Sequence, residues 1–435
     1  MLARLGCGVP DPRPRSEVRP CRAAEKFKFF SKCELPHTSQ LISPSTLACE
    51  DGSAAQVAAG VFGAAGRALG EAVRSQSSAQ GGSTIVDDAK MHAFIGQILS
   101  DLGGAASIAL VRIGDALGLY KTLHARGPMT VGELGAEVGV NERYLREWLS
   151  QQAASNYLSY DPATRKFALP PEQAMVFAIE DSPVFMVGAF DIMAALLECQ
   201  EKVQPAFKTG AGVPWGDHST CYFCAVGRFF RPGYHNNLVS NWLPALDGVV
   251  DKLNRGAKVA DVGCGHGWST VIMAKAFPNS QFIGYDFHPN SIEHATAHAR
   301  EHGATANTRF EVAAAKEYSE KQFDLVAFFD CLHDMGDPAG AAAHVRQSLK
   351  PDGSWMIIEP MAGDRLEDNL NPVGRLYYAG STLGCIPTSL SQEVGAALGA
   401  QAGEAKLREV ITAGGFRNVR RAAETPFNMI LEARP

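Results

Sequence analysis

Lys258-Val259-Ala260-Asp261-Val262-Gly263-Cys264-Gly265-His266-Gly267-Trp268 runs from a short apolar strand through an acidic residue into three alternating glycines. Ser269-Thr270-Val271-Ile272-Met273 reads as the helix that follows. Glycines at such a turn let the backbone bend sharply and approach a ligand without interference from a Cβ. About nineteen residues beyond Gly267, a second strand, Phe282-Ile283-Gly284-Tyr285, delivers Asp286. A carboxylate there can accept hydrogen bonds from both hydroxyls of a ribose. Strand, glycine turn, helix, strand and acid together imply an adenosine-containing cofactor.

The dinucleotide fingerprint, G-x-G-x-x-G, would place its third glycine at Trp268, where an indole occupies the point of close helix–strand packing. The spacing is instead G-x-G-x-G preceded by Asp261. On these residues the chain resembles the class I S-adenosylmethionine-dependent methyltransferases, whose first motif reads D-x-G-x-G-x-G. The resemblance covers about residues 88–435. It implies S-adenosyl-L-methionine as cofactor, with Asp261, Gly263, Gly265, Gly267, Asp286, Phe287 and Asp330 around it. After the third strand, many relatives place an acid on the adenine amino group. Ala314 stands there in Phe310-Glu311-Val312-Ala313-Ala314-Ala315-Lys316-Glu317, leaving the backbone of Ala314 and Ala315 to meet the adenine edge. Tyr234, shortly before the first strand in Phe229-Phe230-Arg231-Pro232-Gly233-Tyr234, is either a cofactor aromatic or core packing.

The remaining elements keep an alternating rhythm. Phe323 to Phe329, ending at Asp330, is an apolar run suited to burial on both sheet faces. Ala339–Leu349 reads as a helix, Lys350–Ser354 as a turn, Trp355–Glu359 as a strand, and Leu407–Ala413 as the last helix, stopped by glycine. Two terminal strands are expected near 418–424 and 427–432. Such alternation predicts an α/β fold with a mostly parallel sheet covered on both faces. The family resemblance makes it a Rossmann-like methyltransferase sheet with an antiparallel last strand. Residues 364–390, with Tyr377 and Tyr378, interrupt the rhythm and are expected to form a substrate lid.

Methyl transfer from a sulfonium is a direct displacement, so holding the nucleophile in line can account for on the order of 7–11 kcal/mol of acceleration. A hydroxyl acceptor also needs its proton removed. Cys331-Leu332-His333-Asp334-Met335-Gly336-Asp337-Pro338 resembles the H-D-W-S-D segment of small-molecule O-methyltransferases, with Met335 and Gly336 replacing Trp and Ser. In those relatives the histidine is the general base, which carries onto His333, and an assisting acid falls at Glu359. His333 as a structural loop residue, and Glu359 as a solvent-exposed strand end, stay open as alternatives. Asp334 and Asp337 read as turn and N-cap residues. The function expected is methyl transfer to a small-molecule acceptor, with a non-catalytic or DNA-binding regulator as the alternative.

No metal site is expected. His294, His298 and His302 share a helix face that reads as solvated, and Cys221-x-x-Cys224 with His218 lacks a second ligand pair. Net charge −6 argues against a polyanion-binding surface, and ten cysteines without a secretory signal fit a reducing, cytoplasmic setting. No uncharged apolar run of membrane-spanning length is evident, so no membrane association is expected.

Upstream, residues 1–87 read as a disordered extension. Residues 98–123 read as a helix burying Leu110, Ile113, Leu117 and Leu123. Thr130 and Glu133 form a capping box for the next helix, Asn141 caps a third, and Tyr157–Leu169 is a hairpin. Three helices and a hairpin over 88–170 follow the winged-helix order, and this part resembles the N-terminal domain through which winged-helix methyltransferases dimerise. DNA is not the expected partner, because Arg143 and Arg146 are offset by Glu142 and Glu147. Residues 171–255 are read as a helical connector, and 256–435 as the cofactor-binding domain.

Overall fold

The computed structural model describes residues 86–435, so nearly all of the expected 1–87 extension lies outside the described residues. Capping chemistry places the first helices. Thr130 accepts the Glu133 N–H while Glu133 accepts the Thr130 N–H at 2.7 Å, opening the helix Val131–Val138. Asn141 Oδ1 accepts from Arg143 N at 2.9 Å and opens Glu142–Ala154. The hairpin pairs β1 (Ser159–Asp161) with β2 (Lys166–Ala168), turned by Asp161, whose Oδ1 accepts the Ala163 N–H.

The single helix expected over 98–123 is two. Asp88–Ala116 ends before Gly118, whose φ of +69° is left-handed, and Leu119–Arg126 resumes. Asp88–Ala116 buries the face of Ser107, Val111 and Gly114, which leaves Ile113 exposed and Leu110 half-buried; Leu117 is exposed before the break, and beyond it Leu119, Tyr120 and Leu123 enter the core. Asp88–Ala116 is long and apolar enough to cross a membrane by length and composition, although Asp101 and Arg112 interrupt it and it is not an uncharged run. Its second half packs on the winged helix, where Trp148 Nε1 donates to the Leu110 carbonyl at 2.8 Å.

Helices at Pro171–Phe177, Val187–Glu198, Gln200–Thr209 and Thr220–Asn237 lead to the sheet. Arg228 joins the segments, pairing with Asp115 at 2.7 Å and Asp191 at 3.2 Å. Seven strands follow: β3 (Lys258–Val262), β4 (Gln281–Asp286), β5 (Thr308–Val312), β6 (Phe323–Phe329), β7 (Leu349–Pro360), β8 (Asn418–Glu424) and β9 (Asn428–Arg434). Their order is β5-β4-β3-β6-β7-β9-β8, parallel except for β9, which is antiparallel to both β7 and β8. The turn expected at 350–354 is instead the extended start of β7, with an irregularity beside Phe323–Leu325.

Alternate residues of the central strands serve opposite cores. Val259, Leu325, Ala327 and Ile358 pack on one face; Val262, Val326, Phe328 and Ile357 pack on the other. Burial on both faces explains the continuous apolar runs of β6 and β7. Strand order reverses at β3, flanked by β4 and β6, which opens a crevice at the carboxyl ends of these strands.

Candidate functional site

A cavity of about 440 Å³ occupies that crevice, within the range of sites that hold a small organic ligand. Gly263, Gly265, Asp286, Phe287, Ala314, Ala315, Asp330 and Tyr234 line it. Asp261, Gly267, His333 and Glu359 do not.

Gly263 has φ +75°, and a Cβ there would lie 2.8 Å from Cys331 Sγ. Glycine is therefore needed both for the left-handed turn and for the close pass of the loop after β6. Gly267 is structural: its Cβ would strike Phe310 and Ala295, so its role is packing the helix Trp268–Ala276 on the sheet. Asp261 is fully buried, and its Oδ2 accepts from Ser269 Oγ at 2.6 Å and Thr270 Oγ1 at 2.5 Å. Burial pushes its pKa up to about 6 against those two hydroxyls. It pins the helix to the strand and supports the glycine turn from behind.

Asp286 ends β4 at the cavity wall. Gly265 N donates to Oδ2 at 3.0 Å and His288 N to Oδ1 at 2.9 Å. Each oxygen keeps lone pairs for a ligand hydroxyl, so a ribose fits the geometry. Burial raises its pKa above the ordinary carboxylate value. Ala314, Ala315 and Phe287, the last about half exposed, also line the cavity. At the inner end Asp330 holds φ +50°, a left-handed conformation unusual for a non-glycine residue. Asn428 Nδ2 donates to its Oδ1 at 2.7 Å, and the buried Tyr234 hydroxyl donates to Oδ2 at 3.4 Å. Tyr234 thus belongs to both readings, lining the cavity and packing on Phe230 with parallel rings 5.8 Å apart.

Glu359 is not a solvent-exposed strand end. It is buried, accepting from Leu332 N at 2.9 Å through Oε1 and meeting His333 Nδ1 at 2.5 Å through Oε2. His333 is buried too, in the short 3-10 turn Leu332–Asp334. Burial opposes its charge, but Asp334 and Glu359 prevail and hold its pKa well above 6.5. Asp334 lies between His333 and the cavity, lining the latter, with Oδ1 3.2 Å from His333 Nε2. Asp337 caps Pro338–Ser348 through Gly340 N, as expected of it.

The segment 364–390 is helical, with Pro372–Gly380, a π-helical turn Ser381–Cys385 and Ile386–Leu390. It brings Cys385 to His333 and Asp334, a meeting with no local sequence signal. Trp215 and Phe223 also line the cavity without having been singled out; an aromatic cluster next to the connector helices was the available clue. The face carrying the three histidines is not wholly solvated. His298 is buried under Trp268, ring centroids 3.9 Å apart, while His294 and His302 are exposed. His218 Nδ1 sits 3.0 Å from Cys199 Sγ.

Residues 253–405 match the family described as "Methyltransferase domain", and residues 105–178 match "Rv2258c-like winged HTH domain". Among curated proteins, a ubiquinone biosynthesis O-methyltransferase of Leptothrix cholodnii is 33% identical over 132 residues, covering 30% of this chain and 53% of that protein. The chain thus spans about half the length of that relative. Human N-acetylserotonin methyltransferase in complex with SAM superposes with a TM-score of 0.60 at 17% identity, covering 81% of this chain and 99% of that one. A putative O-methyltransferase from Nostoc punctiforme gives 0.60 at 15%, covering 78% and 98%. These two likenesses establish a shared fold. The chain therefore carries a class I, S-adenosylmethionine-dependent type of methyltransferase domain behind an N-terminal winged-helix domain.

Proposed function

We propose that this protein transfers a methyl group from S-adenosylmethionine to a hydroxyl oxygen of a small molecule, with His333 as general base. The observation that carries this reading is the buried His333–Glu359 pair directly behind Asp334, which lines the cavity. When bound, the cofactor supplies the activated methyl group. The turn at 263–267 and the remaining lone pairs of the Asp286 carboxylate would hold the nucleoside, while Asp330, whose pKa burial and the neighbouring Glu359 raise well above the ordinary carboxylate value, offers carboxyl oxygens to an ammonium group. Glu359 takes the Nδ1–H of His333, which leaves the Nε2 lone pair for the acceptor proton. Asp334 stands in front of that lone pair, so the acceptor reaches it only when the Asp334 side chain turns aside.

Titration calorimetry with S-adenosylmethionine and its demethylated product tests the first half. Micromolar binding is expected, weakened at least tenfold in Asp286→Ala, since hydrogen bonds to a charged group contribute about 1.5–3 kcal/mol. Incubation with methyl-labelled cofactor and a panel of phenols tests the second half. Label should pass to at least one phenol in the native protein and be lost in His333→Gln. Undiminished transfer by His333→Gln would place the base elsewhere.

The winged helix also supports a homodimer. Phe94, Ile98, Leu99 and Leu102 are exposed along the first part of Asp88–Ala116, an apolar stretch that a second copy would cover. The cations near the recognition helix are engaged within the protein, Arg143 with Glu147 and Arg126 with Glu137, which leaves few for phosphates. Sedimentation of a Phe94→Glu, Leu102→Glu double variant as a monomer beside a dimeric native protein is the expected outcome.

A further inference from the structure

His333, Asp334 and Cys385 each offer one ligand atom, and the three atoms lie within 4.8 Å of one another. Two of the residues come from the turn after β6 and the third from the π-helical turn Ser381–Cys385, so the fold assembles the trio across 52 positions of sequence. Ordinary hydrogen bonding does not account for all of it. Asp334 Oδ1 is 3.2 Å from His333 Nε2, yet it is a buried oxygen with no hydrogen-bond partner. His218, buried, has an orphaned Nε2 of its own and lies within the field of Asp334. An unsatisfied acceptor beside an imidazole and a thiol is the arrangement expected where a cation belongs.

We propose that His333 Nε2, Asp334 Oδ1 and Cys385 Sγ form a binding site for a borderline-soft divalent cation, Zn²⁺ above all. The donor set decides the metal. One imidazole, one carboxylate and one thiolate suit zinc or cobalt, whereas magnesium and calcium demand oxygen. Three protein ligands leave a fourth tetrahedral position, and the cavity lies on the Asp334 side of the trio. Behind the imidazole, Glu359 Oε2 at 2.5 Å from Nδ1 fixes the tautomer that presents Nε2 to the ion. A carboxylate behind a ligating histidine is the usual outer support of a zinc site.

Occupancy has a functional consequence, which rests on the reading of His333 as the base. The lone pair that ligates the ion is the one that would take the acceptor's proton, so the ion and the substrate proton compete for Nε2. It also ties the lid segment at Cys385 to the loop at His333. Bound zinc therefore switches methyl transfer off reversibly.

Cobalt(II) added to the metal-stripped full-length protein reports the site directly, because thiolate ligation gives an intense near-ultraviolet charge-transfer band. One equivalent should produce that band in the native protein and in Cys224→Ser. Cys385→Ser should lack it, Asp334→Asn should bind at least tenfold more weakly, and Glu359→Gln on the order of 10–100-fold more weakly. Circular dichroism identifies any variant that fails to fold, and ¹⁵N-histidine spectra with zinc then read the shift at His333 in the native protein alone. Cobalt spectra identical in native and Cys385→Ser protein, or no histidine shift with zinc, overturn the site. If zinc binds at the trio and transfer to the phenols that accept label is unchanged, the site stands and the competition, with His333 as base, is overturned.

Discussion

His333 Nδ1 and Glu359 Oε2 lie 2.5 Å apart, and both side chains are buried behind Asp334, which lines the cavity. The second oxygen of Glu359 accepts from Leu332 N, so one carboxylate serves two donors, imidazole and backbone. Glutamine can present only one oxygen to the pair. Glu359→Gln must leave either the imidazole N–H or the Leu332 N–H facing an amide NH₂. Loss of the fixed tautomer should lower kcat by on the order of 10²-fold, the lower end of what a positioned base contributes. KM should change little, because Glu359 does not line the cavity. A change confined to KM would remove Glu359 from proton transfer.

His333 should also shape the pH profile. Its pKa lies well above 6.5: burial opposes the charge, and the acids Asp334 and Glu359 outweigh it. A base must be neutral to accept a proton, so kcat/KM should climb as pH rises through that elevated pKa, still increasing above pH 7. The same charge stabilises the fold. That contribution is complete below pH 6.5 and is lost as pH rises through the folded-state pKa. Glu359→Ala removes one of the two acids beside the imidazolium, leaving Asp334 at 3.2 Å, and should cost up to about 3 kcal/mol in denaturant unfolding at pH 6. A flat rate profile from pH 6 to 9 would contradict the assignment.

Two glycines in one turn should respond differently to alanine. Gly263 and Gly265 both have left-handed φ, +75° and +51°, and so share a penalty of roughly 1–2 kcal/mol. Only Gly263 adds a collision, with Cys331 Sγ 2.8 Å from the new Cβ, whereas nothing lies within 4 Å of one at Gly265. Gly263→Ala should therefore lower the thermal midpoint of the cofactor-free protein more than Gly265→Ala. Equal shifts would mean that the loop after β6 yields freely.

Much of this was legible because the signals are local. A glycine turn between two apolar strands, a capping box at Thr130 and Glu133, and an Asn cap at position 141 each lie within a few residues of what they specify. Expectations failed where a distant group overrode a local pattern. Ile113 and Leu117 fit a helical stripe, but the face of Ser107, Val111 and Gly114 is the one that packs on the winged helix, and Tyr120 enters the core from a separate helix after Gly118. His298 sits on a polar helix face, and it is the Trp268 ring from the neighbouring helix that covers it. Asp261 carries the family's motif acid, yet its geometry makes it a support for Ser269 and Thr270 and not a wall of the cavity. Cys385 meets His333 only through tertiary folding of the segment 364–390, which no spacing could announce.

Asp261 gives the sharpest stability test, because its burial works against its own charge. Its folded pKa is raised to about 6 by desolvation, despite hydrogen bonds from Ser269 and Thr270, while the model-compound value is 3.8. Between those values the folded state holds a proton that the unfolded chain has released. Stability from this group is thus complete below pH 3.8 and falls as pH rises through about 6. A shift of that size corresponds to roughly 3 kcal/mol, since each pKa unit is about 1.4 kcal/mol. Asp261→Asn keeps one oxygen for the two hydroxyls and removes the charge. Chemical denaturation of native and Asp261→Asn protein from pH 4 to 7 should therefore show native stability falling relative to the variant's across pH 4–6, with the gap constant above pH 7. Parallel curves over that whole range would mean that Asp261 is ionised in the folded protein at pH 4 and that its cost is met by the helix it anchors.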